Sequence, residues 1–201
     1  MKNWLKKWLI SYLSEELSDY TTPQKSDFEK LMKVIQVGDV ILVEGKQRVS
    51  KIIKYLTQSN WSHVAFYIGN GELIEADLKE GVRVVSVKEY ANYHTRICRP
   101  KELTEEHMFQ ILDFLKSKIG GQYDIKHITD LMKIILNPKL RLKHVLQHLG
   151  SGNPTKVICS SLIADAFQLV NYPIIPIAVE NGNYYQINST LITPEIGRAH
   201  V

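Results

Sequence analysis

Apolar and polar residues recur along this chain with two periods, and each period marks its own kind of element. The stretch WSHVAFYIGNGELIEAD, residues 61–77, holds two apolar runs around Asn70-Gly71, the pattern of a β-hairpin. It predicts strands at 63–68 and 72–77. VGDVILVEG (37–45), VRVVSV (82–87) and TRICRP (95–100) read as further strands of one small, mostly antiparallel sheet. Elsewhere the spacing is helical. Trp4, Leu5, Trp8, Leu9, Tyr12 and Leu13 fall at i, i+4, i+8 positions and predict an amphipathic helix over 3–17, which Thr21-Thr22-Pro23 breaks. VSKIIKYLTQ (49–58) is a short helix that delivers the chain to Ser62-His63.

Thr104 is placed to cap the next helix, with Glu105 and Glu106 in the first turn, where carboxylates favour the dipole. Met108, Ile111, Leu112, Leu115 and Ile119 form its buried stripe, and Gly120-Gly121 ends it. Asp124 to Leu136 predicts a second helix and ICSSLIADAFQLV (158–170) a third. The basic segment between them, 137–156, is bracketed by Pro138 and Pro154 and reads as a mobile excursion near the site. The fold class is therefore α+β, a small antiparallel sheet packed against helices. An extra amphipathic helix within residues 1–22 precedes one main domain, 23–195. The closing IGRAHV looks like the translation of a sequencing adapter, so 196–201 are set aside as a non-native tail.

With 201 residues and 44% hydrophobic content the chain can close one core, not two large ones. A net charge of +4 permits attraction to anionic surfaces, but no nucleic-acid motif accompanies it, so nucleic acid is not an expected partner. Two cysteines, Cys98 and Cys159, make either one bridge or two thiols. No stretch reaches the roughly 18 apolar residues of a membrane span, and the N-terminal apolar run is too short for a secretory signal. A cytoplasmic location follows as the expectation. Residues 3–17, with tryptophans on one face and lysines nearby, suit either a membrane surface or packing on the domain itself.

Chemistry enters with the polar residues inside these patterns. A thiol gains reactivity at a helix N-terminus, where the dipole and free N–H groups stabilise its thiolate, and Cys159 has that placement. Taken alone, it could equally be a packing thiol. Cys98, inside a strand, reads as structural. His63 could cap its strand or act as a base. The other histidines, His94, His107, His127, His144 and His148 among them, fall in polar loops or on helix faces, and none has the context of a zinc motif. Neither a metal nor a cofactor is implied.

Glu75 among Leu73, Ile74 and Ala76 is the sharper oddity, because a carboxylate in an apolar strand needs a partner. A two-residue turn at Asn70-Gly71 would pair Phe66 with Glu75 and turn His63 to the opposite face. A three-residue loop, Gly69-Asn70-Gly71, pairs Ala65 with Glu75 instead. His63 then becomes the diagonal neighbour of Glu75 on one face, about 7–8 Å away at the backbone and within side-chain reach. Glu75 could then fix the tautomer of His63 and raise its basicity toward a nearby thiol.

SHVAFYIGNGELIEA resembles the histidine hairpin of NlpC-type papain-fold cysteine hydrolases. The order here, with ICSSLIADAF after the histidine, is similar to the circularly permuted YiiX/YebB-like branch, which GDVILVEG and GQYD also fit. The likeness spans roughly residues 35–175. It implies a circularly permuted papain-like fold with Cys159 as nucleophile, His63 as general base and Glu75 as its orienting partner. Tyr123 would line the pocket, donate to an oxyanion or pack in the core; a backbone N–H near Cys159 is the better oxyanion donor. Trp61 and Ser62 flank the base and would shape the substrate pocket. The implied activity is amide hydrolysis through an acyl-thioester, on a peptide or acylated small molecule. HVAFYIG also resembles the histidine box of lecithin:retinol acyltransferase-like proteins, so acyl transfer or lipid hydrolysis is the alternative. A non-catalytic peptide- or lipid-binding module is the second.

Overall fold

Glycine-bounded strands of five to seven residues build the centre of the molecule. The structure, a computed structural model, describes residues 3–18, 26–57, 59–124, 156–172, 174, 177–180 and 183–186. Strands β1 (Val40–Glu44), β2 (His63–Gly69), β3 (Glu72–Asp77), β4 (Gly81–Ser86) and β5 (His94–Cys98) form an antiparallel sheet in the order β4-β3-β2-β1-β5. The elements are those the periodicity predicts, with ends moved by local turns. β1 starts later than expected because Gly38, at φ +96°, belongs to a turn.

Alternation sorts the sheet into two faces. Leu42, Val64, Phe66, Ile74, Ala76 and Val82 pack under helices α4 (Glu105–Ser117) and α5 (Cys159–Leu169), against Ile111, Leu115, Leu162, Ala166 and Phe167. The opposite face, Ile41, Val43, Ala65, Tyr67, Leu73 and Val85, receives Leu31 of α2 (Phe28–Val34). The reading above left α2 out. Its seven residues give one buried position, too little for periodicity, yet Asp27 caps it by accepting from the Lys30 N–H at 3.1 Å.

Helix α1 spans Asn3–Ser14 and not 3–17, because the next residues are claimed by the chain near α3 (Arg48–Thr57). Glu16 bridges to Gln47, Leu17 N–H donates to Lys46 O at 3.1 Å, and Arg48 N–H donates to Glu15 O at 3.0 Å. Leu9, Ile10 and Leu13 of α1 close on Val49 and Ile52 of α3 and on Leu78.

As expected, Thr104 caps α4, accepting from the His107 N–H at 3.1 Å. The glycine pair after α4 does more than stop the helix. Gly120 N–H donates to Val82 O and Val82 N–H to Gly121 O, both at 2.8 Å, which fastens the chain to the edge strand β4. This close approach needs Gly81: at φ +77°, any Cβ there would lie 2.1 Å from the Gly121 carbonyl oxygen. The chain then enters β6 (Gln122–Tyr123), which pairs in parallel with β7 (Lys156–Val157) just before α5. All of the expected helix 124–136 but Asp124, almost all of the basic segment 137–156 and the tail 196–201 lie outside the described residues. A hairpin of β8 (Ile177–Glu180) and β9 (Asn183–Gln186), which the pattern did not predict, follows.

Candidate active site

The β2–β3 hairpin decides the geometry. Ala65 pairs with Glu75, as the one-residue shift requires, but the extra residue is not held in a three-residue loop. It is absorbed as a bulge between Tyr67 and Gly69, and Gly69 then pairs with Glu72 across a two-residue Asn70-Gly71 turn. Gly69, Asn70 and Gly71 all have positive φ (99°, 53° and 76°), which two glycines and an asparagine tolerate. The Gly71 N–H donates to the Tyr67 hydroxyl at 3.1 Å and secures the turn.

With that register, His63 Nε2 lies 3.0 Å from Glu75 Oε2. Glu75 is 1% exposed, and a lone carboxylate at that depth would be costly. It is surrounded instead. Arg83, its direct partner across β4, places Nε 3.0 Å and Nη2 2.9 Å from Oε1, and the Tyr90 hydroxyl donates to Oε2. Burial pushes the Glu75 carboxyl up. The His63 and Tyr90 hydrogen bonds and the His63 and Arg83 charges outweigh it and hold the carboxyl down at about 2. Burial likewise raises Tyr90, and the Glu75 charge and hydrogen bond raise it further, well above the usual phenol range.

Cys159 opens α5, and His63 opens β2; these two starts line one pocket. Burial lowers the imidazole of His63, but its hydrogen bonds to Cys159 and Glu75 and their negative charges push it up to about 10. The start of α5 is pinned by Ser161, whose Oγ accepts from Ile158 N–H and donates to Ile158 O, each at 3.1 Å. Neither cysteine is bridged; Cys98 lies buried in the core on β5.

The remaining expected site residues divide. Tyr123 lines the pocket while packing into the core beneath it. Burial, with the negative charge of Cys159, Asp77 and Asp124, raises its phenol well above the usual range. Ser62 lines the pocket and is buried, its Oγ accepting from Gly45 N–H at 3.0 Å, so it ties β2 to the end of β1. Trp61 does not shape the pocket wall. It sits in the core, its ring tilted against His94 at 4.9 Å, in volume closed by residues distant in the chain. Nor does His94 belong to a loop: it starts β5 and places Nδ1 3.0 Å from buried Glu44.

Arg83, Tyr90 and Tyr93 also line the pocket and were missed by sequence reasoning. For Arg83 a signal existed. Asp77 accepts from the N–H groups of Lys79 and Glu80 at 2.8 and 2.9 Å and Gly81 has positive φ, a turn chemistry that sets Arg83 opposite Glu75. Tyr90 had none, since a single 3₁₀ turn, Val87–Tyr90, carries it back over the sheet.

Residues 34–134 match the family model described as permuted papain-like amidase enzyme, YaeF/YiiX, C92 family. The match takes in His63, Glu75, Arg83, Tyr90 and Tyr123 and stops short of Cys159. The chain is 22% identical over 194 residues to the probable lipoprotein peptidase YaeF of Escherichia coli strain K12, covering 86% of this chain and 67% of that protein. Its fold is similar to the crystal structure of metalloprotein yiiX from Escherichia coli O157:H7, at a TM-score of 0.57 and 16% identity, covering 82% of this chain and 92% of that one. Among the described residues no group of three or more His, Cys, Asp and Glu side chains could hold a metal ion. With the family match and the shared fold, the chain belongs to the permuted papain-like amidases of the YaeF/YiiX C92 family.

Proposed function

We propose that this protein hydrolyses an amide bond through an acyl-thioester on Cys159. The observation that carries the reading is the pocket in which His63, held from behind by buried Glu75, meets the thiol at the start of α5. Glu75 occupies His63 Nε2 and leaves Nδ1 for the sulfur. His63 hydrogen-bonds the sulfur, and a nearby imidazolium is the setting that favours attack by a thiolate. The thiolate adds to the substrate carbonyl, and backbone N–H groups in the first turn of α5 face the oxyanion. The C–N bond then breaks as His63 gives its proton to the leaving amine. Water next adds to the thioester, losing a proton to His63, and the acid departs as the thiolate is restored.

Glu75 orients the ring, and Arg83 and Tyr90 hold Glu75; these are positioning residues. Ser62 and Tyr123 form substrate-facing wall. The name probable lipoprotein peptidase, carried by the YaeF relative, agrees with a peptide substrate. The test is the mass of the adduct trapped on Cys159 after incubation with peptide amides and with phospholipids. An acyl group from the amide is expected. An adduct from phospholipid alone would assign acyl transfer, and no adduct on Cys159 in either would refute the thioester.

A further inference from the structure

The outer face of α1 has no part in the chemistry above. Leu9, Ile10 and Leu13 point into the protein, while Trp4 is 65% and Trp8 56% exposed, with Tyr12 also outward. These three aromatics stand four residues apart and make one stripe; the Trp8 and Tyr12 rings stack at 5.5 Å. Large indoles left in water are unusual, and Trp and Tyr are the side chains that suit the boundary between hydrocarbon and headgroups.

The charge beside the stripe selects the partner. Lys7 is exposed and stands three residues after Trp4, next to the stripe, and the first turn of α1 carries no acidic residue. A cation near that end opposes the helix dipole, so it does nothing for the helix itself and instead suits an anionic surface. The same helix reaches the pocket. Ser14 at its end and Val49, Ser50 and Ile53 of the packed helix α3 line the cavity shared by Cys159 and His63.

We propose that α1 docks the protein on an anionic lipid bilayer through Trp4, Trp8 and Tyr12, with Lys7 on the headgroups. Resting on the thioester reading, this makes the substrate an amphiphile, an acylated molecule held at the bilayer surface beside the pocket wall that α1 and α3 build.

The chain's three tryptophans allow a direct test on the whole protein, because Trp61 is 5% exposed in the core and serves as an internal reference. Fluorescence is read against vesicles of brominated phosphatidylcholine with and without phosphatidylglycerol. Anionic vesicles are expected to quench the wild type, whereas Trp4→Phe/Trp8→Phe leaves an unquenched Trp61 signal. In co-sedimentation, Trp4→Ser/Trp8→Ser should weaken anionic vesicle binding by about tenfold or more. Cys159→Ala should bind as wild type does, so docking and the thioester reading stand or fall separately, the latter on the trapped adduct. Absent quenching, equal binding to neutral vesicles, or a dimer in solution that Trp4→Ser/Trp8→Ser dissolves would each overturn the proposal.

Discussion

Arg83 and Glu75 face each other across β3 and β4, with two guanidinium nitrogens 3.0 and 2.9 Å from a single carboxylate oxygen, Oε1. The division is functional in its consequences. Arg83 saturates one oxygen, so the other, Oε2, is directed at His63 and the Tyr90 hydroxyl. Replacing Arg83 with Gln leaves a buried carboxylate short of its counter-charge. The expected loss is about 3 kcal/mol at pH 7, the usual order for breaking one side of a buried pair. Urea denaturation measures it, and an unchanged midpoint would mean that Glu75 does not depend on Arg83.

Acid should unfold the protein through the same carboxylate. A group whose folded pKa is depressed contributes stability above its unfolded value and loses it as pH falls through the folded value. For Glu75 that window runs from 4.5 down to about 2. Glu75→Gln should flatten the stability profile across this range relative to wild type, as read by thermal unfolding at stepped pH.

His63 sets the opposite limb. Its folded pKa is raised, so its contribution is complete below 6.5 and disappears as pH rises through about 10. Wild type should lose stability between those values, and His63→Ala should lose less there. The same substitution should slow amide turnover by about 10²- to 10⁴-fold, the range for removing a general acid–base residue.

Cys159 and Cys98 are both buried, yet only Cys159 lines the pocket. A small electrophile such as iodoacetamide is expected to alkylate Cys159 at neutral pH and leave Cys98 intact in the folded protein, by peptide mass mapping. His63→Ala should slow that alkylation. Equal labelling of the two thiols would remove the case for an activated nucleophile.

Gly81→Ala tests how Tyr123 is delivered. The new methyl would meet the Gly121 carbonyl in a backbone conformation that alanine resists, and a cost of about 1–3 kcal/mol follows from the strain. The junction between β4 and Gly120-Gly121 would open, and Tyr123 would leave the pocket. A lowered melting temperature with slower Cys159 alkylation is expected; a stable variant with normal alkylation would show that Tyr123 needs no such anchor.

The residue pattern by itself determined the strand run, the cap at Thr104 and the helix start at Cys159, and it narrowed the hairpin to two registers, one of which brings Glu75 to His63. These are local matters: side-chain period, turn residues and N-terminal capping act over a few neighbours, so they are visible in a string. The hairpin shows the limit. Gly69-Asn70-Gly71 permits the one-residue shift, but which register forms, and whether loop or bulge absorbs the residue, depends on packing of the neighbouring strands. Tertiary structure alone decided that Trp61 turns into the core, that Tyr90 folds back onto Glu75, and that Gly120-Gly121 ties Tyr123 to the edge of β4. Each of those depends on groups far apart in the chain competing for one buried volume or one carboxylate oxygen. Such competition is settled by three-dimensional packing, and no spacing along the sequence encodes it.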